Sequence, residues 1–399
     1  MYLDSRILTV SRPVQCRVPN HSSSSSSSPT PSSASRPTLV LYTSSHGFGH
    51  AVRCAGLCRA LLKLLPELHI VVRTMAPAWI FSEGVQVEAC AIDVGVVQPN
   101  SLEIDARATL ERYAERLPAE PAIIEAEAAH LRQLCARVVV ADVPSAAFEI
   151  AARAGVPGIA LANFSWDWIY EPFVESLPEH APLIEHIRAQ YRQASLLLQL
   201  PFNEGLGVFP TVEDVPLLAR RSTADRTDTR RRLGLPRDAQ LVLTSFGGHA
   251  SADLDLDGLA ALHEYAFVTT TSEVGGAETA VRHGKNLFLL PPLKDAYVEL
   301  LAACDVVITK PGYGIVADLI ANRVPALYVS RAGFREEPVL VRALEREARA
   351  IQLDRAALDA LDLRPALDQL AALDRPWTDR PLDGADVAAR RILQVAGLA

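Results

Sequence analysis

Two histidines share one glycine turn, Ser44-Ser45-His46-Gly47-Phe48-Gly49-His50, and imidazole is the side chain that exchanges protons near neutral pH. His50 opens a helical pattern with Val52, Leu57, Leu61 and Leu64 among its apolar positions. The positive end of that helix dipole favours the neutral ring, which can act as a base. Asp142 ends the apolar run Val138-Val139-Val140-Ala141, so its carboxylate lies at the carboxyl end of a buried strand. Open parallel sheets hold ligands at that edge.

A second glycine turn, Gly312-Tyr313-Gly314, joins the β-branched run Val306–Ile308 to the helical pattern Ile315, Leu319, Ile320. Backbone N–H groups and the helix dipole at such a turn attract phosphate, and small residues let it approach closely; the other reading is a plain βαβ turn of a Rossmann-like domain. Asp318, about one turn into the helix, could reach sugar hydroxyls. A third turn, Ser245-Phe246-Gly247-Gly248-His249, follows the run Leu241–Thr244. Glu336 and Glu337 precede Pro338 at a helix start, where they either complement the dipole or accept hydrogen bonds from sugar hydroxyls. Asn163-Phe164-Ser165-Trp166-Asp167-Trp168-Ile169-Tyr170 reads either as a packed interdomain corner or as a sugar-stacking surface.

The elements that must position these groups form two similar halves. Strand-like runs at Thr38–Thr43, Ile70–Arg73, Val85–Val87, Val138–Val140, Gly158–Leu161 and Ser195–Leu200 make up the first. Leu102–Leu134 reads as helical and broken at Pro118 and Pro121. Pro201–Pro216 recurs in Gly and Pro without periodicity and is read as a linker. The second half repeats the plan with runs at Leu241–Thr244, Tyr265–Thr270, Asn286–Leu290, Val306–Ile308 and Pro325–Val329. Arg220, Arg221, Arg226 and Arg230–Arg232 read as a solvated basic helix face. The expected fold class is α/β, with two Rossmann-like domains facing across a cleft and His50 and Gly312 on opposite walls. The expected boundaries are a disordered Ser/Pro-rich leader (1–37), a first Rossmann-like domain (38–205), a second (206–380) and a helix packing back on the first domain (381–399).

A net charge of −8 argues against a nucleic-acid partner, which calls for a basic face. Six scattered cysteines without a CxxC pair indicate neither a disulfide framework nor a zinc site. No apolar run approaches the ~18–20 residues that span a bilayer, and a cytoplasmic enzyme or binding protein is expected. The first turn is not GxGxxG and has no acid placed for a dinucleotide ribose, so NAD binding is poorly supported.

On these motifs the chain resembles glycosyltransferases of the GT-B fold, including the group of the bacterial lipid-intermediate N-acetylglucosaminyltransferase. Five segments in the same order resemble the N-terminal, glycosyltransferase-like portion of L-arabinokinases more closely: His46–Arg53, Asn163–Tyr170, Phe246–Gly248, Gly312–Asp318 and Arg335–Pro338. The sugar-kinase portion has no counterpart, so kinase activity is not implied. The resemblance implies transfer from a nucleotide diphosphate sugar, chiefly a UDP-sugar, to an acceptor hydroxyl, with no cofactor and no metal. It implies His50 as base oriented by Asp142, whose carboxylate would accept one ring N–H and stabilise the imidazolium, so the two side chains are expected in contact. It places Gly247, Gly248, Gly312, Tyr313 and Gly314 against the diphosphate and Asp318 on the ribose. Asp318 is one methylene shorter than the glutamate usual there. Glu336 and Glu337 would read the donor sugar, and His46, Trp166 and Asp167 would lie on the acceptor side. Two other readings remain open: a catalytically idle sugar-nucleotide binding or regulatory module, and a nucleotide-sugar epimerase.

Overall fold

Thr38-Leu39-Val40-Leu41-Tyr42-Thr43 carries no charge and is buried at every position, as a strand covered on both faces must be. A computed structural model describes residues 36–100, 102–247, 255–331 and 333–399; the serine-rich leader, Gly248 and His249 lie outside them. Thr38–Thr43 (β1), His69–Thr74 (β2), Val85–Ala89 (β3), Ala136–Asp142 (β4), Gly158–Ala162 (β5), Leu196–Gln199 (β6) and Val212–Asp214 (β7) form one parallel sheet in the order β3-β2-β1-β4-β5-β6-β7. The order reverses direction between β1 and β4, which opens a crevice at their carboxyl ends. Thr43 pairs with Asp142 in register, and the Ser44 N–H donates to the Asp142 carbonyl at 2.8 Å. The strand pairing therefore brings the first glycine turn beside Asp142 across 92 residues of sequence.

The second sheet contains Leu241–Ser245 (β8), Ala266–Thr270 (β9), Val281–His283 (β10), Leu287–Leu290 (β11), Val306–Thr309 (β12), Ala326–Tyr328 (β13) and Ala350–Gln352 (β14). Its order is β10-β11-β9-β8-β12-β13-β14, parallel except for the β10–β11 hairpin. The reversal here falls between β8 and β12, so the Gly247 and Gly312 turns share one crevice. The architecture is α/β, two parallel-dominated sheets each flanked by helices.

Three local readings need correction. The stretch read as a linker contains β7, an edge strand whose Val-Glu-Asp sequence has too little apolar content to signal a strand. The chain crosses between the sheets later, over 215–225. The long helical stretch is two helices, Ala106–Arg116 and Glu120–Gln133, joined by the 3₁₀ turn Leu117–Ala119; the break is at Pro118, while Pro121 is accommodated in the first turn of the second helix. The basic run is not all solvated: Arg230 is buried and donates to the carbonyls of Ala303, Pro236, Arg237 and Ala239 and to Asp305. Among the described residues no helix is long and apolar enough to cross a membrane.

The C-terminal helix Gly384–Val395 packs against helix Phe48–Leu64 of the first lobe, burying Ala388, Ala389, Ile392 and Leu393. Its return segment pairs with the outgoing one: Leu218 and Asp383 form a β-bridge, and the Gly384 N–H donates to the Leu217 carbonyl at 3.3 Å. A Cβ on Gly384 would lie 2.2 Å from the Pro216 carbonyl oxygen and 2.9 Å from the Leu218 nitrogen. Backbone cannot yield there as a side-chain tip can, so Gly384→Ala is expected to cost on the order of 1–3 kcal/mol. An unchanged midpoint in urea denaturation would contradict that packing.

Candidate active site

Helix Phe48–Leu64 starts directly after β1 because Gly47 at its N-cap takes φ +69°, a left-handed conformation that glycine adopts freely. One turn of that helix presents His50 and Arg53 to the end of β4. His50 Nδ1 is 2.8 Å from Asp142 Oδ1. Arg53 grips the same carboxylate as a fork, Nε donating to Oδ2 at 2.7 Å and Nη2 to Oδ1 at 2.5 Å. Its Nη1 donates to Asn163 Oδ1 at 2.8 Å, and the guanidinium lies 4.8 Å from the centre of the Tyr313 ring. Asp142 is fully buried, which alone would push its pKa up; the adjacent Arg53 charge and the His50 contact outweigh burial and hold it well below the usual carboxylate range. An ionised carboxylate only accepts, so Nδ1 of His50 carries a proton and Nε2 is the free nitrogen of the neutral ring. The Phe164 and Trp166 rings flank His50 at 5.7 and 6.5 Å.

The other residues singled out in the sequence fall into three groups. Among the described residues Gly247 (φ +84°), Gly312 and Gly314 border open space: a Cβ on Gly312 or Gly314 would meet none of their atoms within 4 Å, and one on Gly247 would meet Lys310 Cε at 3.9 Å. Tyr313 between them is buried beneath Arg53. Three carboxylates expected to face ligand have protein partners, and Asp318 also lines the cavity between the lobes. Asp318 accepts from the Arg220 backbone N–H at 2.9 Å and from its guanidinium at 2.5 and 3.0 Å, pinning the outgoing segment to helix Tyr313–Asn322. Glu337 accepts from Ser330 and from the backbone and side chain of Arg331. Glu336 accepts from Asn163 Nδ2 at 2.7 Å, a bond between the lobes.

The aromatic segment is the packed corner rather than a stacking surface. Trp166 is 1% exposed, stacks on Tyr170 at 5.4 Å and donates to Asp93 Oδ2 at 3.0 Å. Asp167 accepts from Arg188 Nε at 3.0 Å. His46 is wedged between Trp166 and Phe334, its ring 5.8 and 6.3 Å from theirs, which joins the lobes again. Sequence reading passed over Arg53 and Asn163 as site residues, although both stand inside the quoted motifs and Arg53 is one helical turn beyond His50. A cavity of about 370 Å³ between the lobes is lined by Gly49, Arg53, Arg59, Arg220, Tyr313 and Gly314, among others.

No protein-family model matches the chain. L-arabinokinase of Arabidopsis thaliana is 32% identical over 375 residues, which is 91% of this chain; the chain spans 35% of the length of that relative. The glycosyltransferase of kitacinnamycin superposes with a TM-score of 0.57 at 17% identity, covering 91% of this chain and 96% of that structure. The glycosyltransferase VinC, solved in complex with dTDP, gives 0.53 at 15% identity over 90% and 95%. The protein thus has the GT-B fold of glycosyltransferases and is related in sequence, over most of its length, to about a third of L-arabinokinase.

Proposed function

We propose that the protein transfers a sugar from a nucleotide diphosphate sugar to an acceptor hydroxyl, with His50 as the base. The observation that carries this reading is the buried His50–Asp142 contact at 2.8 Å, at the mouth of the crevice between β1 and β4. An acceptor hydroxyl is a poor nucleophile until its proton is taken, and the free Nε2 of His50 is suited to take it. The acceptor oxygen bonds to the anomeric carbon as the bond from that carbon to the diphosphate oxygen breaks. The proton goes to Nε2, and Asp142 offsets the charge that develops on the ring. The leaving diphosphate carries the displaced electron pair; the open Gly312–Gly314 turn and the helix start behind it offer N–H groups and a positive dipole to receive it.

UDP-sugars are the first donors to try, with dTDP-sugars beside them because VinC is a GT-B neighbour that holds dTDP. Incubation with a panel of both, with and without sugar and aglycone alcohols, should release nucleoside diphosphate. Tight binding of a sugar nucleotide with no release for any acceptor would instead make the protein a sugar-nucleotide binding module.

A further inference from the structure

Arg53 is 4% exposed and every part of its guanidinium is engaged, yet the transfer chemistry above does not call on it. Its fork covers both oxygens of Asp142; Oδ1 also takes the His50 contact, and Oδ2 faces the Cys54 thiol at 3.4 Å, which burial pushes up so that it stays neutral. Nη2 comes within 3.2 Å of His50 Nδ1, so a permanent positive charge stands beside the ring. A buried carboxylate facing a histidine alone draws a second proton onto the ring and yields an imidazolium–carboxylate pair. Such a ring has no lone pair for an acceptor proton.

We propose that Arg53 is a positioning residue that keeps His50 uncharged and base-competent, by taking up the charge of the Asp142 carboxylate that orients the ring. This rests on the transfer reading, in which His50 is the base. The other groups around the ring do not replace Arg53. Phe164 and Trp166 are uncharged, and the Asp93 carboxyl is tied to Trp166 Nε1. Burial pushes the Asp93 carboxyl above its ordinary value, which weakens its pull on a ring proton. From the second lobe Glu336 bonds Asn163, which holds Arg53, and the uncharged Tyr313 ring lies under the guanidinium. Those two contacts hold the guanidinium in place from both sides, so the fork is set where the lobes meet.

The test follows the His50 ring protons by NMR as pH is varied, assigned by their loss in His50→Ala, in the parent, Arg53→Gln and Asp142→Asn. Arg53→Gln should hold its ring proton to a pH higher by about 1 unit or more, the scale set by one neighbouring charge. Asp142→Asn should move in the opposite direction. With a donor and acceptor in hand, the acid limb of kcat should shift upward with Arg53→Gln. Turnover lost at neutral pH should then return at higher pH, a recovery that mere loosening of the fold would not show. An unmoved ring titration in Arg53→Gln, or a loss of turnover that no pH restores, overturns the proposal. If Arg53→Gln does not fold, an unmoved titration in Asp142→Asn overturns it and a downward shift supports it. If the parent transfers no sugar, the transfer reading fails by itself, and the ring titration still decides the role of Arg53.

Discussion

Replacing His50 with alanine should lower sugar transfer ~100-fold or more while leaving donor affinity nearly unchanged, since loss of a general base acts on the chemical step. The ring is almost buried, its Nδ1 is committed to Asp142, and Nε2 is its free nitrogen. Removing it leaves the donor-side turns of the second lobe intact. The measurement is kcat beside a calorimetric Kd for the nucleotide, on protein whose thermal midpoint is recorded. Normal turnover in His50→Ala would rule out the dyad. A fall in affinity that matches the fall in turnover would make His50 a binding group instead.

Asp142→Ala should be the most destabilising of the substitutions considered. It strands the Arg53 guanidinium at 4% exposure with its ion-pair partner gone, and breaking one side of a buried pair costs about 3–5 kcal/mol. The pH dependence has a definite sign. Asp142 binds its proton less readily folded than unfolded, so its contribution is present above the ordinary carboxylate pKa of about 3.9. That contribution is lost as pH falls toward the depressed folded value. Urea denaturation from neutral to acid pH should therefore show the gap between parent and Asp142→Ala narrowing only in strong acid. A constant gap throughout would mean the stability came from packing and not from the charge. Asp142→Asn should lose turnover in the same direction as His50→Ala.

Much of this fold is legible because parallel strands buried on both faces are runs of aliphatic residues, and β1, β4, β8 and β12 are such runs. β7, β10 and β14 are not, being three residues each and exposed or mixed in polarity. The His50–Asp142 contact is legible for a topological reason: a glycine turn after one strand and an acid ending its neighbour meet at the crevice. The occupied carboxylates are harder to read. Asp318 finds Arg220 98 residues away and Glu336 finds Asn163 173 residues away, and no local pattern encodes such a partner. An acid at a helix start looks the same in sequence whether it faces a ligand or, like Glu337, an arginine six residues before it. Trp166 shows the same limit, since an aromatic ring suits a core as well as a sugar.

The two segments that pass between the lobes lie side by side, bridged at Leu218 and Asp383 and closed over Gly384. One tether would leave the second lobe free to swivel about a point. Two tethers laid along a common line remove all but rotation about that line, as two pins make a hinge of a joint. The returning helix is seated on helix Phe48–Leu64, so the paired tethers are anchored on the helix that carries His50 in its first turn. The Asn163–Glu336 bond and the His46–Phe334 ring contact tie the lobes again on the crevice side, so the distance from the Gly312 turn to the histidine is set by the backbone path and by these contacts together.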